Sequence, residues 1–383
     1  MALPAEKQID PRKFPKKVRR FVSPDSPPPM RMMLARGLVP MKPLVQMCAL
    51  YQLAHGSDTD VASTARESAK KMPMATVGQI ASQPLIPLVL DWMTDVYRAQ
   101  SDIVRAVLLN RLTDIDTLVR VAEKADEETC EVIARNQQRL LESPNLVRAL
   151  YMNRNCRAST ADRVVDFAAR NGLDLSSIPG HKEILAAIHG EEAANRTAEE
   201  IAAADDVFRA VTLLDDLPED ADADISAPES AAARRAEEQG EDDKPKKRGS
   251  AAGRIRAMNI AQKVRLAMMG NSSERAILIK DSNKMVSRAV IRSPAITDNE
   301  VMKFAKNKSL DEEIIGYIAR RKKWTRQYRL KKALILNPKT PLNVALNFLA
   351  YMRLNDLREV ARSRGTSPGV AKAAKQAVKK KMN

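Results

Sequence analysis

The chain has 383 residues, 44% of them hydrophobic and 29% charged, enough for two domains of ordinary size. Aromatics supply only 4% and glycines number 13, against an average glycine usage of roughly 7%, so glycine-rich nucleotide loops and turn-dense β-sandwiches are set aside and a mostly helical protein is expected. The net charge of +16 is uneven: residues 1–190 carry 26 basic and 21 acidic side chains, residues 191–243 carry 4 and 18, and residues 244–383 carry 34 and 9.

Residues 1–30 combine Arg12, Lys13, Lys16, Lys17, Arg19 and Arg20 with the run SPDSPPP, whose prolines deny helix hydrogen bonds. They read as a disordered basic arm; KFPKKVRR suits an electrostatic tether, a localisation signal or a solvated tail. Residues 31–190 read as a first helical domain, with Leu108, Leu112, Ile115, Leu118, Val119 and Ala122 at helical spacing. Residues 191–253, rich in Ala, Asp, Glu, Ser and Pro, cannot bury enough apolar area to offset ordering entropy and read as a disordered acidic linker. Inside it, residues 205–217 form one short amphipathic segment around Val207, Phe208, Val211 and Leu214, which suits either a last helix of the first domain or a partner-docking helix. Residues 254–383 read as a second, basic helical domain, over which the linker's carboxylates could fold as an internal competitor.

Self-similarity sets the architecture. Arg105 to Arg135 resembles Arg288 to Arg320, and RALYMNRNCRASTADRVVDF (148–167) matches KALILNPKTPLNVALNF (332–348). Ala267, Ala289 and Ala333 recur at spacings of 22 and 44. Each unit reads as an Ala-centred apolar helix, a break at Asn or Ser-Pro, and a second helix opened by Thr297 or by Thr340 with Pro341. Small alanines permit close helix packing, and no unit can bury its apolar face alone, so neighbours must stack. Glu312 to Leu330 reads as an extra helix between two units.

VSRAVIRSPAITDNEVMKFAKN and LKKALILNPKTPLNVALNFLAYM resemble leucine-rich variant repeats, with the match strongest over residues 285–352 and weaker over 105–169. The pattern departs where Gly270-Asn271 replaces Asn-Pro. That resemblance implies an all-α fold of two HEAT-like α-solenoid halves that bind macromolecules, and it supplies no catalytic residue. The second half also resembles a bacterial family of repeat proteins, a likeness that implies no particular activity.

The strongest local feature is RRKKWTRQYRLKK, with eight basic residues in thirteen: Arg320, Arg321, Lys322, Lys323, Arg326, Arg329, Lys331 and Lys332 around Trp324 and Tyr328. On one helix the two aromatics share a face, where they suit base stacking beside phosphate neutralisation, or else packed anchors under a solvated charged face. VAKAAKQAVKKKMN reads as a final amphipathic helix with Val370, Ala374, Ala377 and Val378 inward, either a cap or a phosphate- or membrane-surface tail.

Enzyme chemistry finds little support. His181 and His189 are eight apart and do not make a zinc face; Asp114 with Asp116, and Asp311 with Glu312 and Glu313, sit where helices open. No phosphate loop or nucleophile motif occurs. Cys48, Cys130 and Cys156 lie far apart, which argues against a disulfide framework and points to a reducing, cytoplasmic setting. No secretory signal or membrane span is expected, and no cofactor or metal. The sequence therefore favours a non-catalytic scaffold that binds a protein partner, with Trp324 and Tyr328 as its hot spot, and keeps salt-sensitive nucleic-acid binding by the basic half as the alternative.

Overall fold

In the computed structural model, which describes residues 8–189, 198–212, 251–363 and 365–382, all regular structure is helical and no strand occurs among those residues. No helix among them is long and apolar enough to cross a membrane. Backbone contacts sort the chain into two units, Met1–Cys156 with Phe167–Leu173, and Arg157–Asp166 with Asp174–Asn383.

The first unit begins earlier than the sequence suggests. A 3-10 turn (Pro11–Lys13), α1 (Lys16–Val22) and α2 (Pro28–Ala35) occupy the expected disordered arm. Ile9, Phe14, Val18, Phe21 and Val22 are buried in the same core as α3 (Pro43–Ala54), α4 (Thr59–Lys70), α5 (Met74–Ala81) and α6 (Pro87–Val96). Prolines here begin helices rather than prevent them: Pro11 and Pro28 stand in first turns, where a missing N–H costs nothing. The Ile9 N–H donates to the buried Gln52 side chain at 2.8 Å.

The unit continues through α7 (Ser101–Leu109), α8 (Ile115–Ala122), α9 (Glu127–Arg135), α10 (Gln137–Glu142) and α11 (Pro144–Met152). Helix α12 (Ala158–Arg170) is divided between the two units.

The second unit contains α13 (His181–Ile188), α14 (Ala198–Thr212), α15 (Ala251–Ala257), α16 (Ile260–Met269), α17 (Ser272–Leu278) and α18 (Lys284–Arg292). After them come α19 (Asp298–Lys306), α20 (Glu312–Arg320), α21 (Lys322–Thr325), α22 (Tyr328–Leu336), α23 (Leu342–Leu349), α24 (Leu354–Arg362) and α25 (Pro368–Met382). Two stretches of the expected disordered linker are thus helical, and its remainder, residues 190–197 and 213–250, lies outside the described residues. Helix α14 starts seven residues before the expected segment and belongs with the second unit, not the first. Phe208 and Val211 are its inward pair; the Phe208 ring lies 4.9 Å from the guanidinium of the fully buried Arg265.

The recurrent unit is visible in local geometry. Helices α7, α9, α11, α18, α19, α20, α22 and α24 are all nine residues long. Each ends where one residue turns to positive ψ and donates its N–H three residues back; these stops are Asn110, Asn136, Asn153, Ser293, Asn307, Arg321, Asn337 and Ser363. Three asparagines also tie the end of one helix to the end of a helix two or three earlier in the chain. Asn110 Nδ2 donates to Ala81 and Gln83 carbonyls (2.7 and 2.8 Å), Asn153 Nδ2 to those of Ala122 and Ala125 (2.8 and 2.9 Å), and Asn337 Nδ2 to those of Ala305 and Asn307 (2.9 and 3.0 Å). Helix-end carbonyls left without intrahelical donors thereby gain partners.

Ion pairs recur at the fifth residue of these helices. Arg105 on α7 meets Glu128 at 2.8 Å, Arg288 on α18 meets Glu313 at 2.7 Å, and Lys332 on α22 meets Asp356 and Glu359, both at 2.7 Å. Thr297 forms the expected cap, as part of a reciprocal box with Glu300. Thr340 does not open α23: its hydroxyl donates back to Leu334 O at 2.6 Å and closes α22, while Pro341 takes the cap position. Ala267, Ala289 and Ala333 are buried, as are Val370 and Ala374 on α25, with Ala377 and Val378 packed beside them.

Candidate anion-binding groove of the second unit

The expected single helix from Glu312 to Leu330 is three helices, because Arg321 adopts an extended backbone (φ −83°, ψ 108°) that stops α20 and Gln327 another (φ −74°, ψ 123°) that separates α21 from α22. Trp324 and Tyr328 consequently sit on different helices and share no helical face. Trp324 is buried on α21, with its ring 6.3 Å from that of Tyr317. It is a packed anchor, and its indole is not available for stacking on a partner. Arg321 lies over the Tyr317 ring at 4.6 Å and donates to its hydroxyl, while Lys331 lies 4.5 Å from the Tyr351 ring. Arg320, Lys322, Lys323 and Arg326 are exposed.

Of the ten residues expected to act together, three (Tyr328, Arg329 and Lys332) meet in one place. They line a groove of about 1450 Å³. Helix α22 packs against both α19 and α24, so it forms the floor and they form the walls. Its other cations, Lys306, Lys308, Arg353, Arg358 and Arg362, were not singled out by the sequence, since they come from two segments on either side of the basic run. Their available signal was register: Lys306 and Arg362 each close a nine-residue helix, one position before its Asn or Ser stop.

Three carboxylates line the groove, and all are engaged within it. Asp298 Oδ2 accepts from Gln327 Nε2 at 2.7 Å. The Tyr328 hydroxyl donates to Asp356 and accepts from the Arg353 N–H at 3.0 Å. Lys332 Nζ bridges Asp356 and Glu359. Its bonds to Asp356 and then Glu359 raise the Lys332 pKa, and the bonds from Lys332 and then Tyr328 lower that of Asp356. Partial burial, followed by the Asp356 bond, raises that of Tyr328.

The remaining positive charge faces outward. Lys306, Lys308, Arg329 and Arg362 are exposed and form no ion pair among the described residues. The Lys308 ammonium lies against Gly365, which brings it to the end of the groove beside Arg362 and Ser363. Arg353 covers the Tyr328 ring at 5.2 Å.

The first unit shows what the repeat needs without this chemistry. Matching Asn153 to Asn337 places Arg148 opposite Lys332 and Asn145 opposite Arg329. Matching buried Leu118 and Ala122 to Val301 and Ala305 places Glu123 opposite Lys306; Lys308 falls where the second copy has two extra residues. The fifth-position cation and the tying asparagine are kept in both copies, whereas three of the four unpaired groove cations are absent from the first.

Elsewhere, His189 Nε2 lies 2.9 Å from Asp166 Oδ1, not paired with His181. Cys48, Cys130 and Cys156 are buried free thiols, and burial pushes Cys48 up to about 11, which removes thiolate character at neutral pH. Compared with protein-family models, curated proteins and solved structures, the chain matches none.

Proposed function

We propose that this chain is a non-catalytic α-solenoid of leucine-rich variant or HEAT-like character, and that its second unit holds the phosphodiester backbone of a nucleic acid in the groove between α19, α22 and α24. One observation carries the reading: Lys306, Lys308, Arg329 and Arg362 line a groove in which Lys332 pairs Asp356 and Glu359 and Gln327 holds Asp298, and three of these four cations have no counterpart in the first copy of the repeat. Cations kept without a structural partner are suited to displacing counterions from phosphates. The test is fluorescence anisotropy of the full chain with labelled RNA and DNA oligonucleotides at several salt concentrations. The variant Lys306→Ala/Lys308→Ala/Arg329→Ala/Arg362→Ala should bind at least tenfold more weakly and with a shallower salt dependence.

A protein partner is the second reading, supported by a different surface. Leu342 and Leu346 on α23 and the neighbouring Tyr351 are 48%, 38% and 66% exposed. On this reading Leu342→Ser/Leu346→Ser abolishes partner capture while leaving oligonucleotide affinity unchanged.

A further inference from the structure

The two walls of the groove repeat one arrangement. On α19, Asn299 is the second residue and Lys306 the last; on α24, Asn355 is the second residue and Arg362 the last. Each pair is separated by seven residues, so two helical turns put amide and cation on the same face, about 10 Å apart at 1.5 Å per residue. All four side chains line the groove and are exposed. Neither Asn299 nor Asn355 makes a side-chain hydrogen bond among the described residues, unlike Asn337, whose amide is fully used in tying helices. One end of the groove thus holds Lys306, Lys308 and Arg362, and the other holds two unspent amides with Gln327 nearby.

Resting on the reading of the groove as a nucleic-acid site, we infer that it takes a single strand rather than a duplex, with phosphates at the Lys306/Lys308/Arg362 end and base edges at Asn299 and Asn355. The separation of about 10 Å is comparable to the reach from a phosphate to the far edge of its base. An asparagine amide offers one acceptor and two donors, the pattern that base edges complement. In a duplex the Watson–Crick edges are consumed by pairing, whereas an unpaired strand can turn them into a protein groove. Trp324 is buried and the Tyr328 ring is covered by Arg353, so readout here is by hydrogen bond rather than by an aromatic platform. An acidic peptide also offers backbone N–H and C=O groups to both amides, so it is the competing occupant, and polyglutamate competition separates it from a single strand.

The experiment uses the full chain and labelled homopolymers of about 12 nucleotides, within the usual range of single-strand sites, together with the matching duplexes and polyglutamate as competitor. Single strands are expected to bind at least tenfold more tightly than duplexes, and polyglutamate to compete poorly. Lys306→Ala/Arg362→Ala should weaken all homopolymers alike and reduce the salt slope by about 0.7 for each phosphate no longer neutralised. Asn299→Ala/Asn355→Ala should keep the salt slope and compress the affinity differences among homopolymers at least threefold. Equal binding of duplex, or an unchanged base ranking in the amide variant, overturns the inference while leaving the nucleic-acid reading standing. Binding of no oligonucleotide at low salt, or displacement by polyglutamate as effective as by nucleic acid, removes that underlying reading.

Discussion

Arg275 and Glu300 form a buried ion pair on adjoining helices of the second unit, with Nε 2.7 Å from Oε1 and both side chains about 5% exposed or less. Arg275 also donates to the carbonyls of Gly270 and Ala295, at 2.5 and 3.2 Å, and Glu300 is the partner of Thr297 in its capping box. One pair therefore joins two helix ends and a loop. Removing one member strands the other charge in the interior, so Glu300→Ala should cost about 3–5 kcal/mol, measured by urea unfolding of the full chain with a probe in the second unit.

The same pair sets an acid limit. Burial opposes ionisation of Glu300, but its bonds to Arg275 and Thr297 outweigh burial and hold its pKa below the ordinary carboxylate value. A lowered folded-state pKa gives stability that is complete above the unfolded value of roughly 4.3 and is lost as pH falls through the folded one. Unfolding of the second unit followed against pH should show this acid loss, and Glu300→Gln should flatten it.

The tying asparagines make a prediction for each unit. Asn153→Ala and Asn337→Ala each withdraw two donors from buried helix-end carbonyls, so each should cost about 1–3 kcal/mol. Asn299→Ala, on an exposed helix face, should change stability by less than about 0.5 kcal/mol. Thermal or urea unfolding distinguishes the two classes.

Trp324 tests whether the basic run acts through its aromatics. As a packed anchor with 6% exposure, it should tolerate Trp324→Phe with no change in oligonucleotide affinity, whereas Trp324→Ala should destabilise by about 3–5 kcal/mol. Loss of binding in a stably folded Trp324→Phe protein would return the site to the run itself.

The N-terminal segment gives the last prediction. Phe14 is buried among α1, α3 and the Leu85 region, so Phe14→Ala should destabilise the first unit by about 3–5 kcal/mol. A disordered arm would show no change on denaturant unfolding.

What the sequence determined by itself is the local and repeating part of this protein. Helical periodicity, the Thr297 cap, the inward alanines at 267, 289 and 333, and the inward face of the C-terminal helix were all legible, because each depends on residues within a few turns of one another. Proline-rich composition misled at the N-terminus, since prolines at helix starts look the same in sequence as prolines in an extended arm, and only the burial of Ile9, Phe14 and Phe21 separates them. Charge density over residues 320–332 could not choose between stacking aromatics and packed anchors, because extended backbone at Arg321 and Gln327 divides the run and Trp324 turns inward as an anchor. The groove was decided by tertiary structure alone: Lys306, Arg329 and Arg362 lie more than twenty residues apart, and they line one groove only because the nine-residue helices that carry or flank them pack side by side.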